Sequence, residues 1–423
     1  MKYKIISLGC KVNSYECSAL ASSFKRRGFI ECRKDDADIV VINTCSVTAT
    51  ADQKSRQHIR KLMKTYPNAI CVVMGCYSQG NAKYIAEEIK PQIIIGTNHR
   101  NEIIDLIEEY QKCNQQIVKV DANTRVFKYE ELGVTSYSEN IRAYLKIQDG
   151  CDNFCSYCLI PLRRGKMRSR NKEEIIDECQ YLISQGYQEI VLTGIHVGGY
   201  GKDLDNVSFS DLIEELCHLP NMTGLRISSI EESEIDNKLI ALVRDEPTLA
   251  KHLHIPIQSG SKTVLERMNR KYNPIEFKNK IEKIKNAVPD IALSTDVIVG
   301  FPGETEEEFN ETISFIKDCG FHMLHVFPFS ARENTKAYYM KDQINPQVKA
   351  ARVKVLLDLS KELWDNYTTK FVNQDVEVLI EKFDGQYNIG HTSNYIDVKI
   401  PDKSQKVGQK IQIKLQKSMI VSK

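Results

Sequence analysis

Aromatic residues make up only 8% of this 423-residue chain, tryptophan occurs once, at Trp364, and the formal net charge is just +2. No apolar run approaches the roughly 18 residues that a membrane span needs. The first residues, Met1-Lys2-Tyr3-Lys4-Ile5, lack the apolar core of a signal peptide. Low-complexity tracts and internal repeats are also missing. These absences exclude a membrane-spanning helix, a solenoid and a disordered chain, and 42% hydrophobic with 27% charged residues fits a soluble globular protein. At roughly 150 residues per domain, the length implies two to four domains. Without an export signal the chain is expected in the cytoplasm, where disulfides are rare. What is plentiful is cysteine: 13 residues, an odd number. Each is therefore either a buried apolar filler or a metal ligand, and spacing must separate the two.

Three segments differ in pattern. In the first, the runs Tyr3–Leu8, Ile39–Ile42, Ala69–Met74 and Ile93–Ile95 read as strands separated by helices such as Asn13–Arg27. Near-continuous Val/Ile strands of this kind suit an open parallel α/β domain covered on both faces. The polar stretch from about Lys112 to Glu139 reads as a linker. In the second, six further strand–helix units follow, with strands near Tyr144–Ile147, Glu189–Leu192, Leu225–Ser228, Leu253–Ile255, Ser294–Val299 and Leu324–Phe327. Helical patterns at Lys172–Gln185 and Glu304–Asp318 fall between them. This suits a barrel or open barrel whose chemistry sits at the carboxyl ends of its strands. A long helix from Pro346 to about Lys370 leads to the third segment, where short strands near Val376–Ile380, Tyr387–Ile389, Tyr395–Ile400 and Lys410–Leu415 suit a small all-β barrel.

Six cysteines form two triads. Cys151, Cys155 and Cys158 make a C-x3-C-x2-C loop after Gly150. Three thiolates so close can ligate three irons of a [4Fe–4S] cluster, leaving the fourth iron open to a small molecule. Zinc is the rival, although zinc sites usually add a second, distant pair. Cys10, Cys45 and Cys76 are dispersed, but each follows a predicted strand, and Gly9 and Gly75 permit tight turns there. In an open α/β sheet such ends share one edge, so these thiols either converge on a second cluster or are coincidental strand-end residues. Cys17, Cys32, Cys71, Cys113, Cys179, Cys217 and Cys319 read as small apolar fillers. His254 and His325 alternate with apolar residues and read as core or supporting histidines.

Taken together, these residues resemble the radical S-adenosylmethionine methylthiotransferases over essentially the whole chain. The resemblance rests on the 151/155/158 triad with Tyr157 before its last cysteine, and on Leu192-Thr193-Gly194-Ile195-His196, His254–Ser261 and Asp296–Thr305. It implies an N-terminal methylthiotransferase domain (1–112), a linker (113–136), a radical SAM core built as a (β/α)6 partial barrel (137–368) and a TRAM RNA-binding barrel (369–423). Gly9–Asn13 and Asn43–Thr48 look like the branch acting on N6-threonylcarbamoyladenosine at position 37 of tRNA. The isopentenyladenosine branch usually shows Gln-Met-Asn after its first cysteine.

The chemistry implied uses two [4Fe–4S] clusters and S-adenosylmethionine. One electron, from a reductant the sequence does not identify, cleaves S-adenosylmethionine at the first cluster. The resulting 5′-deoxyadenosyl radical takes hydrogen from adenine C2, the cluster on Cys10, Cys45 and Cys76 supplies sulfur, and a second S-adenosylmethionine supplies the methyl group. Thr193, Gly194, Gln258, Ser259, Ser229 and Glu231 are expected to hold S-adenosylmethionine, with Tyr157 and Gly300 nearby. A satisfied strand-end polar group or a plain β–α turn is the alternative for each. No residue beyond the cluster ligands is given a catalytic role.

The small net charge conceals two basic runs. Arg163, Arg164, Lys166, Arg168, Arg170 and Lys172 carry no intervening acid, and Lys399 to Lys423 holds seven lysines against one acid, Asp402. Beside the first triad, the former run is expected to contact phosphates of a tRNA anticodon stem-loop. Lys406, Lys410 and Lys414 would do so from the tail, with Tyr387 and Tyr395 either stacking on bases or packed in the core. Solvated charge is the competing reading for both runs. Two function classes follow: a tRNA-modifying enzyme on threonylcarbamoyl- or isopentenyladenosine, or an iron–sulfur RNA-binding sensor without turnover.

Overall fold

A computed structural model describes residues 1–32, 36–133, 141–402 and 404–423. Valine and isoleucine runs buried on both faces set its first layer. Strands β1 (Lys2–Ser7), β2 (Ile30–Glu31), β3 (Ile39–Thr44), β4 (Ile70–Gly75), β5 (Ile93–Ile95) and β6 (Ile117–Lys119) form one parallel sheet in the order β2-β1-β3-β4-β5-β6. The two-residue period of a strand divides its core. Ile39 and Val41 join Tyr3, Phe24, Val72 and Ile107 on one face, while Val40 and Ile42 join Ile59, Val73 and Tyr77 on the other. Helices α1 (Lys11–Arg26), α2 (Ala49–Thr65), α3 (Cys76–Tyr84) and α4 (Ile103–Cys113) supply the cover.

The expected linker corrects itself in part. Its first portion adds β6 to the sheet edge, and the rest is strapped down: Tyr129 donates to the Lys146 carbonyl at 3.0 Å, and Glu130 and Glu131 accept from Arg100 and Arg170. The expected boundary at 136–137 lies outside the described residues. Weak periodicity here reflected side chains spent on ion pairs, which leave no apolar stripe to read.

The middle of the chain places β7 (Arg142–Lys146), β10 (Glu189–Thr193) and β11 (Leu225–Ile227) in one parallel sheet. Strands β12 (His252–His254), β13 (Ala292–Val299) and β14 (Met323–Pro328) form another. Parallel bridges Leu225–Leu249 and Ser229–His254 join their neighbouring edges. All six strands thus lie side by side in chain order, with their carboxyl ends at one rim. A short antiparallel pair, β8 (Gln148–Asp149) with β9 (Arg168–Ser169), brackets the first cysteine loop.

The helix read from Glu304 begins at Glu306, capped by Thr305 with Glu308 in a reciprocal capping box. Glu304 stays in the preceding turn, buried, accepting from the Gly300 amide at 2.6 Å and pairing with Arg352 at 2.6 Å. Helix Pro346–Thr369 runs along β14 to the C-terminal sheet, where β15 (Asp375–Phe383), β16 (Tyr387–Thr392), β17 (Asp397–Pro401) and β18 (Lys410–Lys414) pair antiparallel in the order β17-β16-β15-β18. Trp364 joins the two bodies. It packs with Ala292 of β13 and with Val378, Ile380, Ile396 and Leu415, and its indole donates to the Val421 carbonyl at 3.1 Å. Of the seven filler cysteines, Cys17, Cys71, Cys179, Cys217 and Cys319 are buried, whereas Cys32 is half-buried and Cys113 is exposed at the end of α4.

Replacing Trp364 with alanine removes the largest side chain of this joint and should cost about 3–5 kcal/mol. Denaturant titration measures the loss. Limited proteolysis should show new cleavage after residue 369, and an unchanged cleavage pattern would contradict this role.

Candidate active site between two cysteine triads

Both triads sit where strands end. Cys10, Cys45 and Cys76 follow β1, β3 and β4, neighbours in the sheet, so their thiols meet at one edge. Glycine makes the approach possible. Gly9 and Gly75 both have φ of +106°, and a Cβ on Gly9 would lie 2.8 Å from Cys45 Cβ and 2.9 Å from its sulfur. One on Gly75 would meet Asn43 Oδ1 at 2.3 Å. Burial pushes the Cys76 thiol up to about 11; Arg164 works against this, and the neighbouring Cys10 and Cys45 add to it. Arg164 Nε donates to Cys76 Sγ at 3.3 Å.

The triad of Cys151, Cys155 and Cys158 lies in the loop after β8. Gly150 starts it with φ of +71°, close under the Lys166 carbonyl, and Cys151 N donates to the Gly165 carbonyl at 3.1 Å. The Ser156 amide donates to Met268 O and Asn269 Nδ2 donates to Phe154 O, both at 2.9 Å, which anchors the loop. Each sulfur faces a nitrogen: Cys151 the His196 ring at 3.8 Å, Cys155 Arg270 Nη1 at 3.4 Å and Cys158 the Ile160 amide at 3.4 Å. Burial pushes the Cys158 thiol up to about 12; the Ile160 amide lowers it, and the neighbouring Cys155 and Cys151 raise it again. All 13 cysteines are free thiols.

This donor set fits iron–sulfur clusters. Burial makes Cys45, Cys76 and Cys158 costly to ionise alone, and metal coordination deprotonates a thiol outright while nearby N–H groups stabilise the sulfur. Among the described residues, no three His, Cys, Asp or Glu side chains converge on a point suited to a single ion. Thiolates of a four-iron cluster each bind a different iron and need not converge so closely.

A cavity of about 690 Å³ lies between the N-terminal sheet and the central strands. Gly9, Cys10, Lys11 and Val12 form one wall, Thr193, Gly194, Ser228 and Ser229 a second, and His254, Ser294, Asp296 and His325 another. A smaller cavity of about 200 Å³, lined by Cys155, His196, Glu231, Glu234, Arg270 and Tyr272, lies across the segment 228–231. Tyr395 closes the larger cavity at the amino ends of the strands. Its φ is +63°, its ring stacks on His391 at 5.1 Å, Arg226 lies 4.3 Å from the ring centre, and Arg142 Nη1 donates to its hydroxyl at 2.8 Å.

Residues 145–316 match the Radical SAM superfamily, and residues 2–96 match a family described as Uncharacterized protein family UPF0004. The threonylcarbamoyladenosine tRNA methylthiotransferase MtaB of Bacillus subtilis (strain 168) is 43% identical over 97% of this chain and 93% of its own length. The chain belongs to the radical SAM methylthiotransferases. A tRNA-2-methylthio-N(6)-dimethylallyladenosine synthase of Hydrogenobaculum sp. (strain Y04AAS1) is 32% identical over 99% of this chain and 97% of its own length. Among solved structures, the radical S-adenosylmethionine methyltransferase TsrM of Kitasatospora setae superposes with a TM-score of 0.63 at 13% identity, covering 80% of this chain and 77% of that one, a likeness of fold.

The methylthiotransferase structure sorts the expected residues. Thr193, Gly194 and Ser229 line the larger cavity, and Glu231 lines the smaller one, bonded to Arg270. Ser259 is buried with its hydroxyl 3.1 Å from Thr312 Oγ1, and the Gln258 backbone bonds both Asp296 and Ile298 at 2.9 Å, so this pair holds a loop. Gly300 serves the turn fastened by Glu304. Tyr157 packs edge-on against Phe301 at 6.4 Å, seating the cysteine loop on its support. His254 and His325 line the larger cavity, which sets aside the core alternative of their reading and leaves the supporting one.

The basic run after Cys158 is corrected more sharply. Arg164, Arg168 and Arg170 are buried. Arg164 Nη1 lies 2.8 Å from Glu16 and 3.3 Å from Asp149, Arg168 pairs with Asp149 at 3.3 Å, and Arg170 pairs with Glu131 and Glu178. Arg163 is half-buried, its guanidinium laid on Gly80 so closely that a Cβ there would sit 1.8 Å away. The balancing acids come from distant segments, which is why the run looked unpaired. Only Lys166 of these five residues is exposed. In the tail, Lys406 pairs with Asp402 at 2.8 Å, and Lys410 reaches Glu377 at 3.4 Å and the Thr223 carbonyl, while Lys414 is exposed. Arg270 lines the smaller cavity without a local motif to announce it; Arg164 and Tyr395 stood out in the sequence only as a member of a basic run and as a stacking or core ring, and Lys11 had one cue, its place beside Cys10.

Two outcomes test this geometry. Gly75→Ala drives a Cβ into Asn43 and the Thr44 backbone, so the reconstituted variant should lose the iron of one cluster and keep the other. Iron and sulfide analysis with electron paramagnetic resonance reads this, and full occupancy would contradict it. Glu16 is the second probe. Burial opposes its ionisation, but Arg100, Arg164 and Lys146 outweigh burial and hold it well below the usual carboxylate range. Such a group stabilises the fold fully above its unfolded value of about 4.3 and loses that effect progressively as pH falls from there toward its lowered native value. Glu16→Gln should therefore cost about 3–5 kcal/mol at pH 7. The gap from wild type should narrow below about pH 4; calorimetry showing a pH-independent gap would refute the assignment.

Proposed function

We propose that this chain methylthiolates adenine C2 of N6-threonylcarbamoyladenosine at position 37 of tRNA. The observation that carries this is a pair of cysteine triads, each with one member, Cys10 or Cys155, lining a cavity on its own side of segment 228–231, in a chain 97% covered by its alignment with a methylthiotransferase of that name. When bound, the clusters and S-adenosylmethionine supply the radical, the sulfur and the methyl group. Cys151, Cys155 and Cys158 would hold one cluster, and Cys10, Cys45 and Cys76 the other.

The remaining side chains position and exclude. Arg270 holds Cys155 and Glu231 together, and with Thr193, Gly194 and Ser229 this forms the proposed S-adenosylmethionine surface. Tyr395 and Arg226 close the inner end of the cavity and keep bulk water from that side, as radical chemistry requires. The six central strands read as a (β/α)6 partial barrel and the C-terminal sheet as a TRAM module. Lys166 and Lys414 remain its exposed phosphate contacts with the anticodon stem-loop, and Lys399, 4.1 Å over the Tyr387 ring, adds a cation beside an aromatic face. A reductant completes the reaction.

Deleting the gene should abolish 2-methylthio-N6-threonylcarbamoyladenosine in bulk tRNA, read by nucleoside mass spectrometry, and restoring it should bring the product back. A wild-type level in the deletion strain would refute the function. In the purified enzyme, Cys151→Ala should abolish 5′-deoxyadenosine formation, whereas Cys45→Ala should retain much of it and make no methylthio product. Equal loss of cleavage in both would argue against separate roles for the triads.

A further inference from the structure

The charges that line the larger cavity are unevenly committed. Its one carboxylate, Asp296, lies 3.3 Å from His254 Nε2. Arg226 is spent on Glu189, at 3.0 and 2.7 Å, and on the Ser393 carbonyl. Arg142, behind Tyr395, pairs with Glu381 at 2.7 Å and with Glu189 at 3.6 Å. His254 also shares Ser294 with His252, and His325 lies ring to ring with His254 at 5.4 Å. Lys11 alone among the cavity's fixed cations has no ion pair or hydrogen bond among the described residues. It stands on the wall directly after Cys10.

An uncommitted ammonium in a cavity that its other charges leave balanced or basic is built for an anion arriving with the ligand. Resting on the function proposed above, the substrate brings one: the carboxylate of its threonyl group, which a dimethylallyl substituent lacks. Position also agrees. The substituent hangs on N6, attached to C6, and C6 and C2 flank the same ring nitrogen. An adenine presenting C2 to the triad of Cys10 therefore carries its N6 chain along the edge nearest that triad. We infer that Lys11 is the specificity-determining residue that binds the amino-acid carboxylate of the substrate base and so selects threonylcarbamoyl- over dimethylallyladenosine. S-adenosylmethionine carries a carboxylate too, and the test separates the two sources.

The reconstituted full-length enzyme is titrated with three anticodon stem-loop RNAs that differ only at position 37: threonylcarbamoyladenosine, its carboxamide counterpart and unmodified adenosine. Because phosphate contacts are common to all three, the ratio of affinities isolates the carboxylate. Wild type should bind the carboxylate RNA about 10–100-fold more tightly than the carboxamide, the range for one charged hydrogen bond. Lys11→Gln should bring the ratio close to one, and Lys11→Arg, which keeps the charge, should restore a preference. Cluster content is checked in each variant. If Lys11→Gln fails to hold its clusters, the wild-type ratio and its persistence in Lys11→Arg decide. The inference is overturned if wild type shows no carboxylate preference, or if Lys11→Gln keeps it. It is equally overturned if the variant instead raises the KM for S-adenosylmethionine in 5′-deoxyadenosine formation with the RNA ratio intact, which would assign Lys11 to the cofactor. Failure of the underlying function looks different: wild type would methylthiolate dimethylallyl RNA and leave threonylcarbamoyl RNA unchanged, read by mass spectrometry of the product.

Discussion

Everything about this active site depends on one buried knot of charge. Glu16 of α1 and Asp149 of β8 are surrounded by Arg100, Lys146, Arg164 and Arg168, contributed by separate parts of the chain. Buried charges have no water to fall back on, so each must keep its partner, and removing one strands the others. That requirement allows very few relative placements of the N-terminal sheet and the central strands. It also ties the two triads together: Arg164 donates to Cys76 with one nitrogen and to Glu16, Asp149 and Asn13 with its others, while Asp149 is followed directly by Gly150 and Cys151. The separation of the two cysteine triads is thus fixed largely by charged side chains rather than by the cysteines themselves. Positioning of this kind is the protein's own contribution where cofactors carry the hard chemistry.

The C-terminal sheet extends the same logic. Its placement beyond helix Pro346–Thr369 suggests a separate appendage, yet Tyr395 enters the wall of the larger cavity and is held there by Arg142, Arg226 and His391. Its positive φ is uncommon outside glycine and asparagine. Backbone strain of this sort persists where the surroundings over-determine it. A module proposed to grip RNA therefore also closes the floor of the site, and its removal would open the cavity as well as weaken RNA binding.

Much of the fold was legible because its signals are local. Near-continuous apolar runs rich in Val and Ile announced β1, β3, β4 and β5, and turn residues marked the four C-terminal strands. The 151/155/158 triad was legible for the same reason, since eight residues of loop hold all three thiols. Convergence of Cys10, Cys45 and Cys76 could be framed from strand order, but it needed the sheet to exist, because adjacency of β1, β3 and β4 is a fact of pairing across 35 and 31 positions. Strand β6 stayed hidden because it is three residues long and held by backbone pairing to β5 with Ile117 against the core, and the straps at Glu130 and Glu131 stayed hidden because their contacts are ionic and distant and leave no periodic trace.

The basic run from Arg163 to Arg170 marks the limit most clearly. Sequence alone determined that five positive charges follow the first triad closely. It could not determine whether they face solvent, because the answer lies in acids at positions 16, 131, 149 and 178, brought near only by folding. Electrostatics acts through space and across low dielectric, whereas a sequence displays only neighbours along the chain. Cysteine identity and spacing were therefore readable from the chain itself; whether an arginine binds a phosphate or locks two domains together was decided by tertiary structure, where the countercharges finally appear.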